Sequence, residues 1–141
     1  MKDTSGESFP NEYRLVEATI RAIRERYPNA WVLKTMSDGH QRRGVPDLLV
    51  VLSGNLVAIE MKHRKSHESI DHMLSRVSLH QRKELTDLRT AGARAHVCWT
   101  VEGALAALEA VHLQRLGQLV DVPRERAPLD PRDFAGLPLA D

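Results

Sequence analysis

The chain has 141 residues and a mass of 15.9 kDa, with 42% hydrophobic and 28% charged residues, which is typical of one folded domain. Its single cysteine, Cys98, excludes a fold held by internal disulfides, and no segment is apolar enough for a signal sequence or a membrane span. We therefore expect a soluble cytoplasmic protein. The formal net charge is only +1, but basic residues outnumber acidic ones in residues 21–94 and acidic residues prevail towards both ends. The middle of the chain is the part suited to a polyanionic partner.

The first half of the sequence predicts one helix and three strands. Ser8 and Pro10 are start signals for a helix that runs to about Tyr27. The apolar residues of this helix recur at the spacing of one helical face: Val16, Ile20, Ile23 and Tyr27. The expected strands are residues 31–33, 47–52 and 56–62, with a polar loop at residues 37–44 and a short turn at residues 53–55.

The second half predicts two helices around one strand. Residues 63–77 are polar and rich in histidine, so we expect an exposed loop there, with or without a helical turn, as a candidate mobile lid. Ser78 followed by Gln81 is the capping box of a helix that Gly92 ends. Alternation in residues 95–100 predicts a half-buried strand, and a last helix covers about residues 102–116, with Leu105, Leu108 and Val111 facing inwards.

This order of elements, α-β-β-β-α-β-α, predicts an α/β fold in which helices pack on the faces of a mixed sheet. We expect one domain over residues 1–117. The remaining residues, 118–141, contain four prolines among charged residues and predict a C-terminal tail that is extended or disordered unless a partner orders it.

Charged residues at the ends of two predicted strands carry the chemistry. Residues 44–47 read GVPD and residues 60–62 read EMK. Strand alternation puts Glu60 and Lys62 on one face, and a hairpin at Gly54 returns Asp47 beside them. Two neighbouring carboxylates repel unless a proton or a cation lies between them, and Mg2+ prefers carboxylate oxygens. Such an ion beside a lysine is suited to phosphodiester hydrolysis.

The pattern from Glu17 to about Val101, with GVPD, a hairpin and EMK, resembles the VRR-NUC family of the PD-(D/E)XK nuclease superfamily. The resemblance implies a restriction-endonuclease-like αβββαβ core. It also implies a deoxyribonuclease that depends on Mg2+ or Mn2+, a structure-selective endonuclease similar to junction resolvases. Branched DNA is then an expected partner, and a homodimer would let two active sites reach two strands.

The resemblance also implies roles for individual residues. Asp47 and Glu60 would bind the divalent ion together with the backbone carbonyl of Met61. Lys62 would orient or deprotonate the attacking water. We favour orientation, because lysine is ordinarily protonated at neutral pH.

Two more catalytic candidates follow from the same resemblance. The family's glutamine corresponds to Gln81. An acidic residue of the first helix also faces the metal in the family, and Glu17 is the better candidate because it lies beside Tyr13 and Ile20 at the border of the apolar stripe. Glu12 is less well placed.

Each of these interpretations has a simpler alternative. Asp47 could follow a turn-forming proline while Glu60 and Lys62 form an ion pair at the end of a sheet. Glu17 could be solvated, and Gln81 could serve only as a helix cap. The chain could also be a nucleic-acid-binding module that keeps the fold without cleaving.

The remaining polar and aromatic residues divide into three groups. Basic residues on either side of the motif predict contacts with nucleic acid: Arg42, Arg43, Arg64 and Lys65. Four histidines raise a zinc site as a weak alternative: His63, His67, His72 and His80. We expect both tryptophans, Trp31 and Trp99, to pack in the core.

Overall fold

The structure is a computed structural model, and it describes residues 8–36 and 42–115, with the backbone alone at residues 114 and 115. The predicted tail and most of the predicted polar loop lie outside these residues. The elements in chain order are α1 (Glu12–Arg26), β1 (Trp31–Lys34), β2 (Leu48–Leu52), β3 (Asn55–Met61), α2 (Ile70–Ser75), α3 (Leu79–Thr90), β4 (Arg94–Cys98) and α4 (Val101–Arg115). This is the predicted order with one additional short helix, α2.

The four described strands form one mixed sheet in the order β1-β2-β3-β4. β2 pairs antiparallel with β1 and with β3, whereas β4 lies parallel to β3. Leu48 pairs with Ile59, so Asp47, one residue before β2, lies beside Glu60. The α/β fold class with a mixed sheet and flanking helices is confirmed.

Side-chain caps set the beginnings of the helices. The Asn11 side chain accepts a hydrogen bond of 2.9 Å from the Arg14 N–H, so α1 begins later than Ser8 and Pro10 predict. At α3, the side chain of Ser78 and that of Gln81 each accept from the other residue's N–H, which confirms the predicted capping box.

The sheet separates two apolar clusters. On one face Leu48, Val50, Val57 and Ile59 pack with α1 and α4. On the other face Ala58, Ala95 and Val97 pack with residues of α2 and α3. Both faces of β4 are therefore covered, and the prediction of a half-buried strand is wrong. In α4, Leu108 and Val111 are buried and Leu105 is partly buried, as expected for its inner face.

Helices α2 and α3 cover only part of the second face. Trp31 and Leu33 on edge strand β1 are 54% and 44% exposed, and Val51 of β2 pairs with Trp31. The prediction that Trp31 packs in the core is wrong because no described helix covers this half of the sheet. Trp99 is half-buried against the second cluster.

Residues 63–77 are more ordered than the sequence indicates. Ser69 caps α2, and Met73, Leu74 and Val77 are buried, so the prediction of an exposed loop is wrong for this half of the segment. A helix of six residues is too short to show a period in sequence. Among the helices of the described ranges, none is long and apolar enough to cross a membrane.

Candidate active site

The paired strands β2 and β3 bring the two predicted carboxylates together. Asp47 Oδ2 accepts a hydrogen bond of 2.8 Å from the backbone N–H of Met61. This bond fixes the Asp47 side chain against the end of β3 and turns the peptide group of Met61 towards it. The sequence motif is thus a spatial cluster at one end of the sheet.

Glu60 is the centre of this cluster and is only 2% exposed. Its Oε1 atom accepts a hydrogen bond of 2.7 Å from Gln81 Nε2 and lies 3.6 Å from Lys62 Nζ. Its Oε2 atom is buried and has no hydrogen-bond partner in the part of the chain that the structure describes. Buried oxygens of this kind are rare, because an unsatisfied carboxylate oxygen loses its hydration without compensation.

Burial dominates the electrostatics of the two carboxylates. It raises the pKa of Asp47 to about 6, and the Met61 N–H and the Lys62 charge only partly oppose this. Burial and the Asp47 charge together raise the pKa of Glu60 well above its ordinary range. Two carboxylates that share a buried site retain protons unless a cation neutralises them.

Gln81 joins the cluster to the start of α3 and uses both ends of its amide. Gln81 Oε1 accepts from the Ser78 N–H at 2.9 Å, while Gln81 Nε2 donates to Glu60. The cap and the contact with Glu60, which were alternatives in the sequence, coexist. The helix cap therefore orients the amide group that holds Glu60 Oε1.

Gly44, the first residue of the GVPD motif, permits this contact between loop and helix. It has φ +84°, and a Cβ atom there would lie 2.4 Å from the backbone C and O of His80 and 2.7 Å from the Gln81 nitrogen. Only glycine lets the backbone pass so close to α3. The glycine is thus explained by the proximity of the Asp47 loop to Gln81.

The acidic residue of α1 that interacts with the cluster is Glu12. Its charge contributes to the raised pKa of both Asp47 and Glu60. Glu17 instead accepts a hydrogen bond of 3.1 Å from Arg14, and a hydrogen bond from Tyr13 lowers its pKa. The contacts that the structure gives Glu17 are thus within α1, and its role at the cluster stays a prediction.

The spacing along α1 contains the signal that favours Glu12. The buried residues of α1 are Leu15, Val16, Thr19 and Ile23. Glu12 precedes this stripe at helical spacing, whereas a stripe drawn through Ile20 and Tyr27 points towards Glu17. Ile20 is only partly buried, so the apolar stripe predicted from the sequence is rotated around the helix axis relative to the stripe that is buried in the structure.

The four predicted basic contact residues are exposed or partly exposed, on the two segments next to the motif. Arg42 Nη2 donates a hydrogen bond of 2.8 Å to the buried carboxylate of Glu84. The sequence did not predict this partner, although Glu84 lies one helical turn after Gln81. Arg64 donates from Nε to the backbone oxygen of Glu68. Arg43 and Lys65 are on the same two segments.

A second buried carboxylate, Glu68, was likewise not predicted. It accepts two hydrogen bonds from Arg76, at 2.8 and 3.0 Å, one from His72 at 2.6 Å and one from the Lys65 N–H at 3.1 Å. Arg76 also donates to the His63 backbone oxygen at 2.6 Å. Glu68 and Arg76 therefore fix the segment that follows Lys62.

The structure offers no support for the zinc alternative. Across residues 8–36 and 42–115, no three His, Cys, Asp or Glu side chains form a group that could hold a metal ion. His63 contacts the Phe9 backbone oxygen and His72 contacts Glu68. Any ion at the cluster would have two carboxylates as its principal protein ligands.

Comparison with known proteins gives a likeness to solved structures. The chain is similar to a solved structure described as a "VRR_NUC domain", with 23% sequence identity and a TM-score of 0.46 over 68% of this chain and 92% of that chain. No protein-family profile matches the sequence, and no curated protein matches it. The solved domain is of the kind that the GVPD and EMK motifs resemble.

Proposed function

We propose that the chain is a metal-dependent nuclease that hydrolyses DNA phosphodiester bonds at the cluster of Asp47, Glu60, Lys62 and Gln81. The observation that carries this proposal is Glu60 Oε2, a buried carboxylate oxygen without a partner among the described residues, beside the half-buried carboxylate of Asp47. A carboxylate in a structural ion pair would use both of its oxygens, as the carboxylate of Glu68 does. A free oxygen at this position is suited to a cation.

The residues present fit Mg2+ or Mn2+. Asp47 and Glu60 would hold the ion, together with the Met61 carbonyl, and water would complete its shell, as is common for Mg2+. When bound, the ion would supply positive charge that stabilises the developing charge on a phosphodiester. Glu12 is the residue of α1 that we propose near this site.

The other groups of the cluster orient the two carboxylates and the attacking water. Gln81 Nε2 and Lys62 Nζ both contact Glu60 Oε1, which leaves Oε2 as the free oxygen. The Met61 N–H fixes one oxygen of Asp47. The Lys62 ammonium group, on a side chain that is 11% exposed, would place an attacking water or stabilise charge on the phosphate.

The substrate is proposed to be DNA, including branched DNA. Arg42, Arg43, Arg64 and Lys65 lie on the two segments that adjoin Asp47 and Lys62, where they would contact phosphates. A homodimer would allow paired incisions in two strands. Sedimentation equilibrium of the full chain tests this last point, and a monomer mass with and without branched DNA would contradict it.

Cleavage assays with matched variants test the proposal. Supercoiled plasmid and branched oligonucleotides are incubated with the purified protein in Mg2+, Mn2+ or EDTA. We expect cleavage in either metal, none in EDTA, and none with Asp47→Asn or Lys62→Ala. Lys83→Ala is the control, because Lys83 is an exposed lysine whose ion pair with Asp87 lies within α3.

Two outcomes would contradict the nuclease proposal. The first is equal cleavage by wild type, Asp47→Asn and Lys62→Ala, which would indicate a contaminant. The second is binding of DNA with no cleavage of any substrate in either metal, which would favour a non-cleaving binding module.

A further inference from the structure

A pocket of about 510 Å³ lies beside the candidate active site, at the end of β3 and β4. One wall is the segment of residues 63–67, which follows Lys62 directly. Three apolar or aromatic residues also line the pocket: Phe9, Leu15 and Trp99. The volume is within the range of pockets that bind small organic ligands, about 300–1,000 Å³.

The pocket adjoins the cluster through the backbone at the ends of β3 and β4: its lining begins at His63, the residue after Lys62. The backbone N–H of Lys62 donates a hydrogen bond of 2.9 Å to the backbone oxygen of Cys98. Met61 pairs with Cys98 in the parallel register of β3 and β4. Trp99 is therefore the neighbour of Lys62 across the two strands, at a backbone separation of about 5 Å. A phosphate at Lys62 and a group against Trp99 would be parts of one ligand.

The segment of residues 63–67 gives the pocket two positive charges, those of Arg64 and Lys65. Arg64, Lys65 and His67 line the pocket, and within the part of the chain that the structure describes no carboxylate forms an ion pair with Arg64 or Lys65. The nearest acid in sequence, Glu68, already holds Arg76 and His72. These two cations are therefore available to a phosphate.

This wall is also held in a fixed conformation. The Glu68 side chain accepts from the Lys65 N–H at 3.1 Å, and the Glu68 N–H donates to the Lys65 oxygen at 3.0 Å. Between them His67 has φ +65°, a conformation that is uncommon for residues other than glycine. Backbone strain of this kind persists only where the surrounding structure imposes it.

On this basis, which rests on the proposed nuclease function, we propose that the pocket binds one unpaired nucleotide next to the scissile phosphate. The base stacks on Trp99, and the phosphate of that nucleotide contacts Arg64 and Lys65. Trp99 suits this role because it is only half-buried: it packs against the second apolar cluster and also lines the pocket. Stacking on an aromatic ring tolerates any base, so the pocket selects an unpaired nucleotide and not a sequence.

This assignment specifies the substrate class. A base in a continuous duplex is stacked between its neighbours and must lose this stacking and its base pair to enter a pocket, which is unfavourable. At a gap, flap or junction that cost is small. The protein should therefore prefer strands with an unpaired nucleotide at the cleavage position over an uninterrupted duplex.

Tryptophan fluorescence tests the contact directly, because the chain has only two tryptophans, Trp31 and Trp99. In the Trp31→Phe variant, Trp99 is the sole emitter. In EDTA, which prevents metal-dependent cleavage, a gapped duplex should quench this emission and an uninterrupted duplex of the same sequence should not. The Trp99→Phe variant, with Trp31 alone, is the matched control and should show no quenching with either DNA.

Binding affinities give the second readout. Trp99→Leu should weaken binding of the gapped duplex about tenfold and leave binding of the uninterrupted duplex unchanged. Trp99→Phe should keep most of the affinity, and Trp31→Leu should keep all of it. If thermal unfolding shows that Trp99→Leu does not fold, the quenching experiment still tests the contact of Trp99 with the base, because the Trp31→Phe protein retains Trp99.

Two results would overturn the proposal. They are unchanged Trp99 emission at saturating gapped duplex, and equal quenching by both duplexes. If either is found while Trp31→Phe still cleaves DNA in Mg2+, the pocket assignment fails and the nuclease function stands. If the protein neither binds nor cleaves any DNA, the nuclease function fails and the pocket assignment fails with it.

Discussion

Two buried glutamates only a few residues apart, Glu60 and Glu68, have opposite electrostatics. Glu68 accepts hydrogen bonds from Arg76, His72 and the Lys65 N–H, with Arg76 the largest influence, and the pKa of its carboxyl falls to about 2. Glu60 has one oxygen held by Gln81 and one without a partner among the described residues, and burial raises its pKa well above the ordinary range. The state of a buried carboxylate therefore depends on its partners more than on its depth.

The difference separates a structural carboxylate from a chemical one. Both oxygens of Glu68 have donors, and its effect is to fix the segment that follows Lys62. Glu60 lies in the sheet opposite Asp47, where strand pairing adds a second negative charge and supplies too few donors. We interpret the incomplete site as the one that receives a ligand, and the complete site as its support.

The largest expected effect comes from exchanging each glutamate for its neutral isostere. Glu60→Gln should reduce metal-dependent cleavage about 1,000-fold, because a neutral amide cannot replace a metal-binding carboxylate, and should leave stability unchanged or higher at neutral pH. Glu68→Gln should cost about 2 kcal/mol of unfolding free energy, because it removes hydrogen bonds to charged partners. Cleavage rates and urea unfolding of both variants measure this. The comparison would fail if Glu68→Gln lost cleavage as completely as Glu60→Gln while remaining folded.

The next effect concerns the glycine that lets the Asp47 loop approach α3. Gly44→Ala should lose about 4 kcal/mol of unfolding free energy, because a positive φ and a clash with the His80 backbone combine. Gly54→Ala is a matched control, since Gly54 has φ +79° and a Cβ atom added there would meet nothing within 4 Å. It should lose only about 1–2 kcal/mol. Equal losses in thermal or urea unfolding would contradict the close packing at Gly44.

The free energy of unfolding should depend on pH in opposite directions at the two carboxylate sites, Asp47 and Glu68. The pKa of Asp47 is raised from 3.8 to about 6, so its favourable contribution is complete below pH 3.8 and is lost as pH rises through about 6. The loss is on the order of 3 kcal/mol. The pKa of Glu68 is lowered from 4.5 to about 2, so its contribution is present above pH 4.5 and is lost as pH falls towards 2.

Urea unfolding in EDTA at a series of pH values measures both effects. Asp47→Asn should reduce the decline of the unfolding free energy between pH 4 and 7. Glu68→Gln should reduce the loss of unfolding free energy below pH 4.5. Mg2+ should restore stability to the wild type at neutral pH and have no such effect on Asp47→Asn. A wild-type stability that rises from pH 4 to 7 in EDTA would contradict the electrostatics of the cluster.

The smallest effect distinguishes two acids of α1. Glu12→Gln should lower the cleavage rate about tenfold, because the Glu12 charge acts on both Asp47 and Glu60. Glu17→Gln should change the rate little, because Glu17 contacts Tyr13 and Arg14. Single-turnover rates of the two variants provide the measurement, and the reverse order would restore the assignment that sequence spacing favours.

Several features of this protein are determined by short-range sequence patterns. Alternation in the strands and the turn at Gly54 predict that Asp47, Glu60 and Lys62 meet, and the capping box predicts the start of α3. These predictions succeed because strand alternation, hairpins and caps depend on residues close together in the chain. The order of the major elements follows from the same local signals.

Other features required the tertiary structure. The rotation of α1, which separates Glu12 from Glu17, depends on which side chains the sheet covers. The exposure of Trp31 and the burial of α2 depend on how far the helices extend over one face. The free oxygen of Glu60 and the complete partners of Glu68 are set by side chains that the fold brings together, so no local pattern could distinguish these two glutamates.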